Sequence, residues 1–362
     1  MMTPRRIAVL AAAGVAVIAL ALWVSARRAS EGEPSADSEP LALPGLRAAL
    51  NSVSEVRIVK GDGTRTTLKK GATDWSVAER GFPADSSLVR KFLIDLSDLQ
   101  VVEQKTSDPA SYAELGVDDV SSPKSGGTLV ELIEPASTVR LIIGKPSGAR
   151  SSFVRLASAK QSLLVTPQLI PEADPRRWLQ TSVIDLPESR VKEVLVHPAT
   201  GPSYTVTRAS AQQANFTVPQ VPKGRELMDP GAADPVASAL AGLTLEDVRK
   251  APATKPAPAP EHATFHTFDG LTLDVTGSKD GDRRFLALHA VADAKATQAE
   301  AERIDSRWDG REVEVLGYKY DTFFRPLDQL LKALPEKPKT KAVKHAGHRA
   351  LKLGTGASSA SQ

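Results

Sequence analysis

The sequence predicts an α+β protein: an N-terminal transmembrane helix followed by two tandem, similar lobes, each mainly antiparallel β-sheet with one packed helix. Three observations lead there. An uncharged apolar run from Ile7 to Val24 sits between two arginine pairs, Arg5-Arg6 and Arg27-Arg28. Short segments downstream alternate apolar and polar residues, which is the period of half-buried strands. These segments come round twice, the second set 132 to 144 residues after the first.

Residues 1–28 form the anchor, with Ile7, Leu10, Val17, Leu20 and Trp23 in the apolar run. Eighteen residues span roughly 27 Å as a helix, close to a hydrocarbon core, and Trp23 suits the headgroup level. The rival is a cleaved signal peptide, since Val24-Ser25-Ala26 offers small residues at a cleavage point. The length of the run and the arginines directly after it favour an uncleaved anchor. A short leading segment favours a cytoplasmic N terminus, which puts the body on the periplasmic or outer side of the inner membrane. Ala12 and Ala16 add a small-xxx-small spacing that an alanine-rich helix also produces by chance.

Residues 29–41 are polar, acidic and proline-containing, the composition of a flexible linker. The first lobe spans 42–182. Val53 to Ile58, Arg65 to Lys69 and Trp75 to Ala78 read as strands. Asp85 or Ser86 then caps a helix whose stripe is Leu88, Val89, Phe92, Leu93, Leu96 and Leu99. Thr128 to Ile133, Val139 to Ile143 and Phe153 to Leu156 complete it. The second lobe spans 183–334 and repeats the series: Val191 to Val196, Ser203 to Arg208 and Phe216 to Val218 as strands. A helix opened by Asp234-Pro235 comes after them, carrying Val236, Leu240 and Leu243. Thr264 to Phe268, Leu271 to Val275 and Phe285 to Leu288 come next, then a strand over Glu312 to Tyr318 and a closing helix over Phe323 to Leu334. Inside this lobe, residues 251–260 (APATKPAPAP) read as a stiff extended linker. Residues 335–362 lack periodicity and read as a disordered basic tail.

The chain has no cysteine, so 362 residues must hold together through apolar cores. Its formal charge is +3, yet the tail alone contributes +5 and the four flanking arginines +4. The body between them is therefore acidic, which argues against nucleic acid as the partner.

Chemistry-bearing motifs are sparse. No G-x-S-x-G nucleophile elbow occurs. Gly144-Lys145-Pro146-Ser147 lacks the upstream glycine of a phosphate loop. Lys145, Arg150 and Arg155 gather around one hairpin as a candidate anion site, against the plainer reading of a solvated basic turn. His262 and His266 share one face of a strand, with His289 expected on a neighbouring strand, yet the sequence places no cysteine or carboxylate to complete a metal site. Glu131 and Glu134 fall on opposite faces of a strand, and Asp118-Asp119 sits in a loop. The sequence therefore assigns no catalytic, cofactor or metal residue. Trp75 reads as a core anchor, Pro83 as the helix entry, Gly116 as a positive-φ helix end and Gly144 as a turn residue.

An ordered string of short motifs resembles a bacterial family, domain of unknown function 4340. It comprises Leu43-Pro-Gly-Leu46 before Val53–Ile58, Trp75-Ser-Val-Ala-Glu79, Phe82-Pro-Ala-Asp85 and Leu99 to Thr106. Asp108 to Tyr112, Leu115-Gly-Val117, Ile143-Gly-Lys145, and Trp178 after Asp174-Pro175 complete the string. The resemblance covers most of 40–180 and, less closely, the second copy. It implies membrane-anchored, extracytoplasmic, β-rich proteins, often encoded beside an ABC-type permease and an auxiliary subunit resembling gliding-motility components. It carries over no catalytic residue. The expectation is a non-enzymatic accessory subunit of an ABC-type transporter complex, needing no cofactor. The alternatives are a binder of envelope lipid or polysaccharide in the groove between the lobes, and a hydrolase with an unrecognised site.

Overall fold

The computed structural model describes residues 40–122, 125–252 and 261–333. The anchor, linker residues 29–39, the 253–260 part of the Pro/Ala stretch and everything from 334 lie outside the described residues. Among the described residues, no helix is long and apolar enough to cross a membrane.

The first half is a nine-stranded sheet. Its strands are β1 (Glu55–Lys60), β2 (Arg65–Lys70), β3 (Trp75–Val77), β4 (Phe82–Pro83), β5 (Gln100–Gln104), β6 (Thr128–Ile133), β7 (Thr138–Ser147), β8 (Ser151–Leu156) and β9 (Ser162–Thr166). Their order is β4-β3-β2-β1-β6-β7-β8-β9-β5. The alternation in the sequence sets the register: Val56 faces Leu132 and Ile58 faces Val130, all buried, while Arg57 and Glu131 pair on the other side.

Helix α1 (Leu46–Ala49) is a single turn, and α2 (Ser86–Ser97) is the long helix of this half. The Asp85 carboxylate accepts from the Ser87 and Leu88 amides, satisfying donors that a helix start leaves open, a cap of about 1 kcal/mol. Val89, Phe92, Leu93 and Leu96 enter the core, while Leu88 stays exposed. Trp75 is half-buried against that core. Helix α3 (Tyr112–Leu115) ends on Gly116 at φ 71°, as its glycine foretells.

β10 (Ser182–Ile184) and β13 (Leu243–Thr244) form a separate two-stranded sheet. The second sheet has β11 (Val191–His197), β12 (Tyr204–Thr207), β14 (Asp247–Lys250), β15 (Glu261–Thr267), β16 (Leu271–Asp280), β17 (Arg283–Ala292) and β18 (Arg311–Val315). The order is β12-β11-β15-β16-β17-β18-β14. Laid on the first sheet it matches β2-β1-β6-β7-β8-β9-β5 strand for strand. Every strand pairing among the described residues is antiparallel, so the protein is mainly antiparallel β-sheet with a few helices. One continuous apolar cluster runs through both halves.

Three expectations for the second half need correction. The helix over Val236, Leu240 and Leu243 shrinks to the turn α4 (Asp234–Ala237). Beyond it, bonds such as Ala239 N to Val236 O and Ala241 N to Ser238 O wind residues 238–241 tightly, and Gly242 at φ 56° ends the turn. Small residues let this backbone lie so close to the sheet that Ala233, Val236, Ala237, Ala239 and Leu240 are all buried. Asp234 is also not the cap: its carboxylate accepts from the Phe216 amide. The third strand near Phe216 reduces to one bridge, Thr207 with Thr217.

The chain's end differs as well. The strand stops at Val315, and α6 (Gly317–Phe323) precedes the position expected for the closing helix, because Pro326 interrupts any continuation. Helix α5 (Gln298–Trp308), which the sequence pattern does not announce, covers the part of β17 that β18 leaves unpaired, and the Asp305 carboxylate accepts from the Ala290 amide. Gly277 is the seat of α6: a Cβ there would stand 2.4 Å from the Phe324 ring and 2.5 Å from the Tyr320 hydroxyl.

Candidate binding cleft

A cleft of about 850 Å³ opens where the turn between β3 and β4 faces the β14 edge, Arg283 and the Asp309–Arg311 turn. Both halves build it. From the first half, Arg80 reaches over and binds Asp247 through Nε at 2.5 Å and Nη2 at 3.2 Å. The second half supplies Arg283, held by Glu314 at 2.6 Å, and Arg249, held by Glu312 at 2.9 Å and Asp280 at 2.8 Å. The guanidinium of Arg249 lies 3.4 Å from the centre of the Phe285 ring, and that of Arg283 lies 4.9 Å away. The Glu314 hydrogen bond raises the Arg283 pKa above its usual value, so that cation stays charged at any working pH.

Two cleft cations stand apart from this paired set. No carboxylate among the described residues pairs with Lys250 or Arg311. The Arg311 guanidinium donates to the Asp309 carbonyl and extends toward Gly81. The cleft is thus a wall of satisfied ion pairs with two cations left for an anionic or polyhydroxylated ligand. Its lining residues come from four places in the chain, and the sequence gives no local motif for them. The one available signal is the density of arginine and carboxylate on β14 and β18.

The structure gives the candidate anion-site residues Lys145, Arg150 and Arg155 different surroundings. Arg155 is buried. Its Nε donates to Val117 O, Nη1 to Ala159 O and Nη2 to the Asp119 carboxylate, with the guanidinium 4.6 Å from the Tyr112 ring centre. Lys145 Nζ donates to the carbonyls of Ala113 and Glu114. Both side chains hold the 112–119 segment down on the outer face of the first sheet, and Arg150 sits exposed at the β7–β8 turn. Gly144 is likewise no turn residue. It lies within β7, and a Cβ there would stand 2.3 Å from Leu115 O.

The four histidines among the described residues lie on the outer face of the second sheet, each with its own polar partner. His262 contacts Thr264 at 3.0 Å, and His266 contacts Thr272 at 2.9 Å. His197 contacts Ser203 at 2.7 Å, and His289 is bound by Asp305. No group of three or more potential ligands among the described residues is spaced to hold a metal ion. Glu131 pairs with Arg140 at 2.8 Å, while Glu134 accepts from Ser137, so these carboxylates do not converge.

A smaller groove of about 310 Å³ runs between α2 and the 168–178 segment. Phe92 and Trp178 meet edge to face at 5.3 Å in its wall. Leu88 is 39% exposed and Ile170 76% exposed at its lip.

These features define an antiparallel β protein with two large sheets and a charged cleft where its halves meet. The family described as domain of unknown function (DUF4340) matches residues 75–262, just over half of the chain, and the chain belongs to that family. The match runs from β3 to the start of β15. It includes the cleft residues Ala78–Gly81 and Asp247–Lys250 and excludes Arg283 and Arg311. No curated protein and no solved structure matches the chain.

Proposed function

We propose that this chain is a non-enzymatic, membrane-anchored, extracytoplasmic accessory subunit of an ABC-type transporter complex, and that the inter-sheet cleft is its binding surface. The cleft carries the reading: both halves contribute to it, and it presents Lys250 and Arg311 without carboxylate partners among the described residues. The Ile7–Val24 run supports anchoring in the inner membrane, and the family resemblance supports the transporter association. The shared seven-strand order supports a duplication, with 42–182 and 183–334 as copies of one unit.

The test is a mild-detergent pull-down of tagged full-length protein from its native membrane. An ABC permease and auxiliary subunit should be enriched over an anchor-only control and lost from a Lys250→Glu/Arg311→Glu variant. Recovery of the wild-type chain alone would sink the accessory reading. The second reading, an envelope polysaccharide or lipid binder, draws on the same cleft, whose alternating guanidiniums and carboxylates suit a polyhydroxylated chain. Such a binder keeps its function on a foreign anchor, whereas the accessory subunit does not.

A further inference from the structure

The groove beside α2 lies near the start of the described chain, from which the sequence continues toward the proposed anchor. Ala42 N donates to Leu99 O at 2.8 Å and Val101 N to Pro40 O at 2.8 Å, so the described chain leaves along β5, immediately after α2. Phe92, in the groove wall, precedes Leu99 by roughly 10 Å of helix. From Arg28 to Pro40 the chain can reach at most about 40 Å. That tether is long enough for the groove to rest on the bilayer surface if residues 7–24 span it.

The chemistry of this end fits lipid. Ile170 projects from its loop at 76% exposure, the largest value among the exposed large apolar residues of the described chain. Leu88 and Ile94 lie uncovered on α2, and Leu41 and Val102 lie uncovered at the exit strand. Lys91 is neutralised by Asp95 at 2.6 Å, which leaves Arg177 as the groove's cation without a carboxylate partner among the described residues. A projecting isoleucine beside an unpaired arginine suits the boundary between acyl chains and phosphates.

We propose that the α2 groove and its Ile170 lip rest on the phospholipid bilayer to which the chain is tethered, with Ile170 among the first acyl carbons and Arg177 on a lipid phosphate. This rests on the membrane-anchored reading, and the experiment separates the two. Purified full-length protein is placed in nanodiscs of phosphatidylcholine and phosphatidylglycerol carrying a diazirine on the acyl chain. Cross-linked peptides are then mapped by mass spectrometry after irradiation.

Adducts are expected in 7–24 and also around Leu88 and Ile170. Adducts confined to 7–24 overturn the groove contact and leave the anchor standing. Adducts at the groove without any in 7–24 support the lipid contact and remove the anchor. No adducts at either place overturn both. Ile170→Asp, a change at an exposed side chain that leaves the core intact, should abolish the groove adducts and spare those in 7–24. Groove adducts undiminished in that variant also overturn the proposal.

Discussion

The two sheets share a strand order but differ on their outer faces. On the first, Val59, Leu129, Ile142 and Phe153 make an apolar patch, roofed by Tyr112, Leu115, Val117 and Val120. On the second, the corresponding side of the central strands carries His197, His262, Thr264, His266, Thr272 and Asp274, and nothing described covers it. The difference lies in one connection. Residues 105–127 join β5 to β6, whereas only 251–260 join β14 to β15. The longer segment is the roof, and the sheet face beneath it is apolar because it is covered. A shared topology therefore does not impose a shared surface; the inserted loop decides which face is core.

The roof stands on Arg155, so the largest effect is expected there. Arg155→Met keeps the aliphatic bulk and removes the donors to Val117 O and Ala159 O. Unsatisfied carbonyls cost roughly 1–3 kcal/mol each where burial is complete, so a loss of about 3 kcal/mol is expected in urea unfolding. The Asp119 pair adds little, because that carboxylate is largely in water. A variant as stable as the parent would mean that the roof holds without its clamp.

Next comes the paired test of the faces. Leu129→Ala, under the roof, should cost about 2–3 kcal/mol, and Thr264→Ala, on the open face, about 1 kcal/mol or less. Equal costs would mean that the second face is covered in solution and that the comparison is wrong. Gly144→Ala ranks third, at about 1–3 kcal/mol, since its Cβ would strike the Leu115 and Gly116 carbonyls. Amide exchange should quicken in 112–119 and stay unchanged in the second half.

How much of this was legible in the sequence divides along the same line. Strands with strict alternation, such as Val56 and Ile58 or Val194 and Val196, declared themselves, because a period of two has one structural meaning. The α2 stripe was equally plain, with its Asp85 cap. The spacing of Val236, Leu240 and Leu243 misled, because apolar residues three or four apart are buried as well by tight turns of alanine and glycine as by a helix. Helix α5 was missed for the opposite reason. It buries only Ala301, Ile304 and Trp308 and is otherwise polar, so its stripe is faint. Lys145 and Arg155 looked like a basic turn because sequence shows charge but not the carbonyls that consume it. The cleft was invisible beyond the bare expectation of a groove between lobes, since Arg80 and Asp247 meet only after the two halves pack.

The smallest effect distinguishes the two halves by acid. Helix α5 is tied to the start of β11 by Arg190, which binds Glu300 through two bonds of 2.8 Å and also binds Asp269. The Arg190 hydrogen bond holds the Glu300 carboxyl below its usual pKa. For Asp269, burial works against ionisation, but hydrogen bonds from Thr267 and Arg190 outweigh it, so that pKa is lowered too. A carboxyl whose folded pKa is depressed stabilises the fold fully above its unfolded value, near 4. That contribution is lost as pH falls through the folded value. The roof of the first half hangs mainly on backbone carbonyls, which do not titrate. Between pH 7 and pH 3, amide exchange, corrected for its intrinsic pH dependence, should therefore rise in 298–308 before it rises in 112–119. Simultaneous loosening of both segments would show that acid acts on the common core and not on the device peculiar to each half.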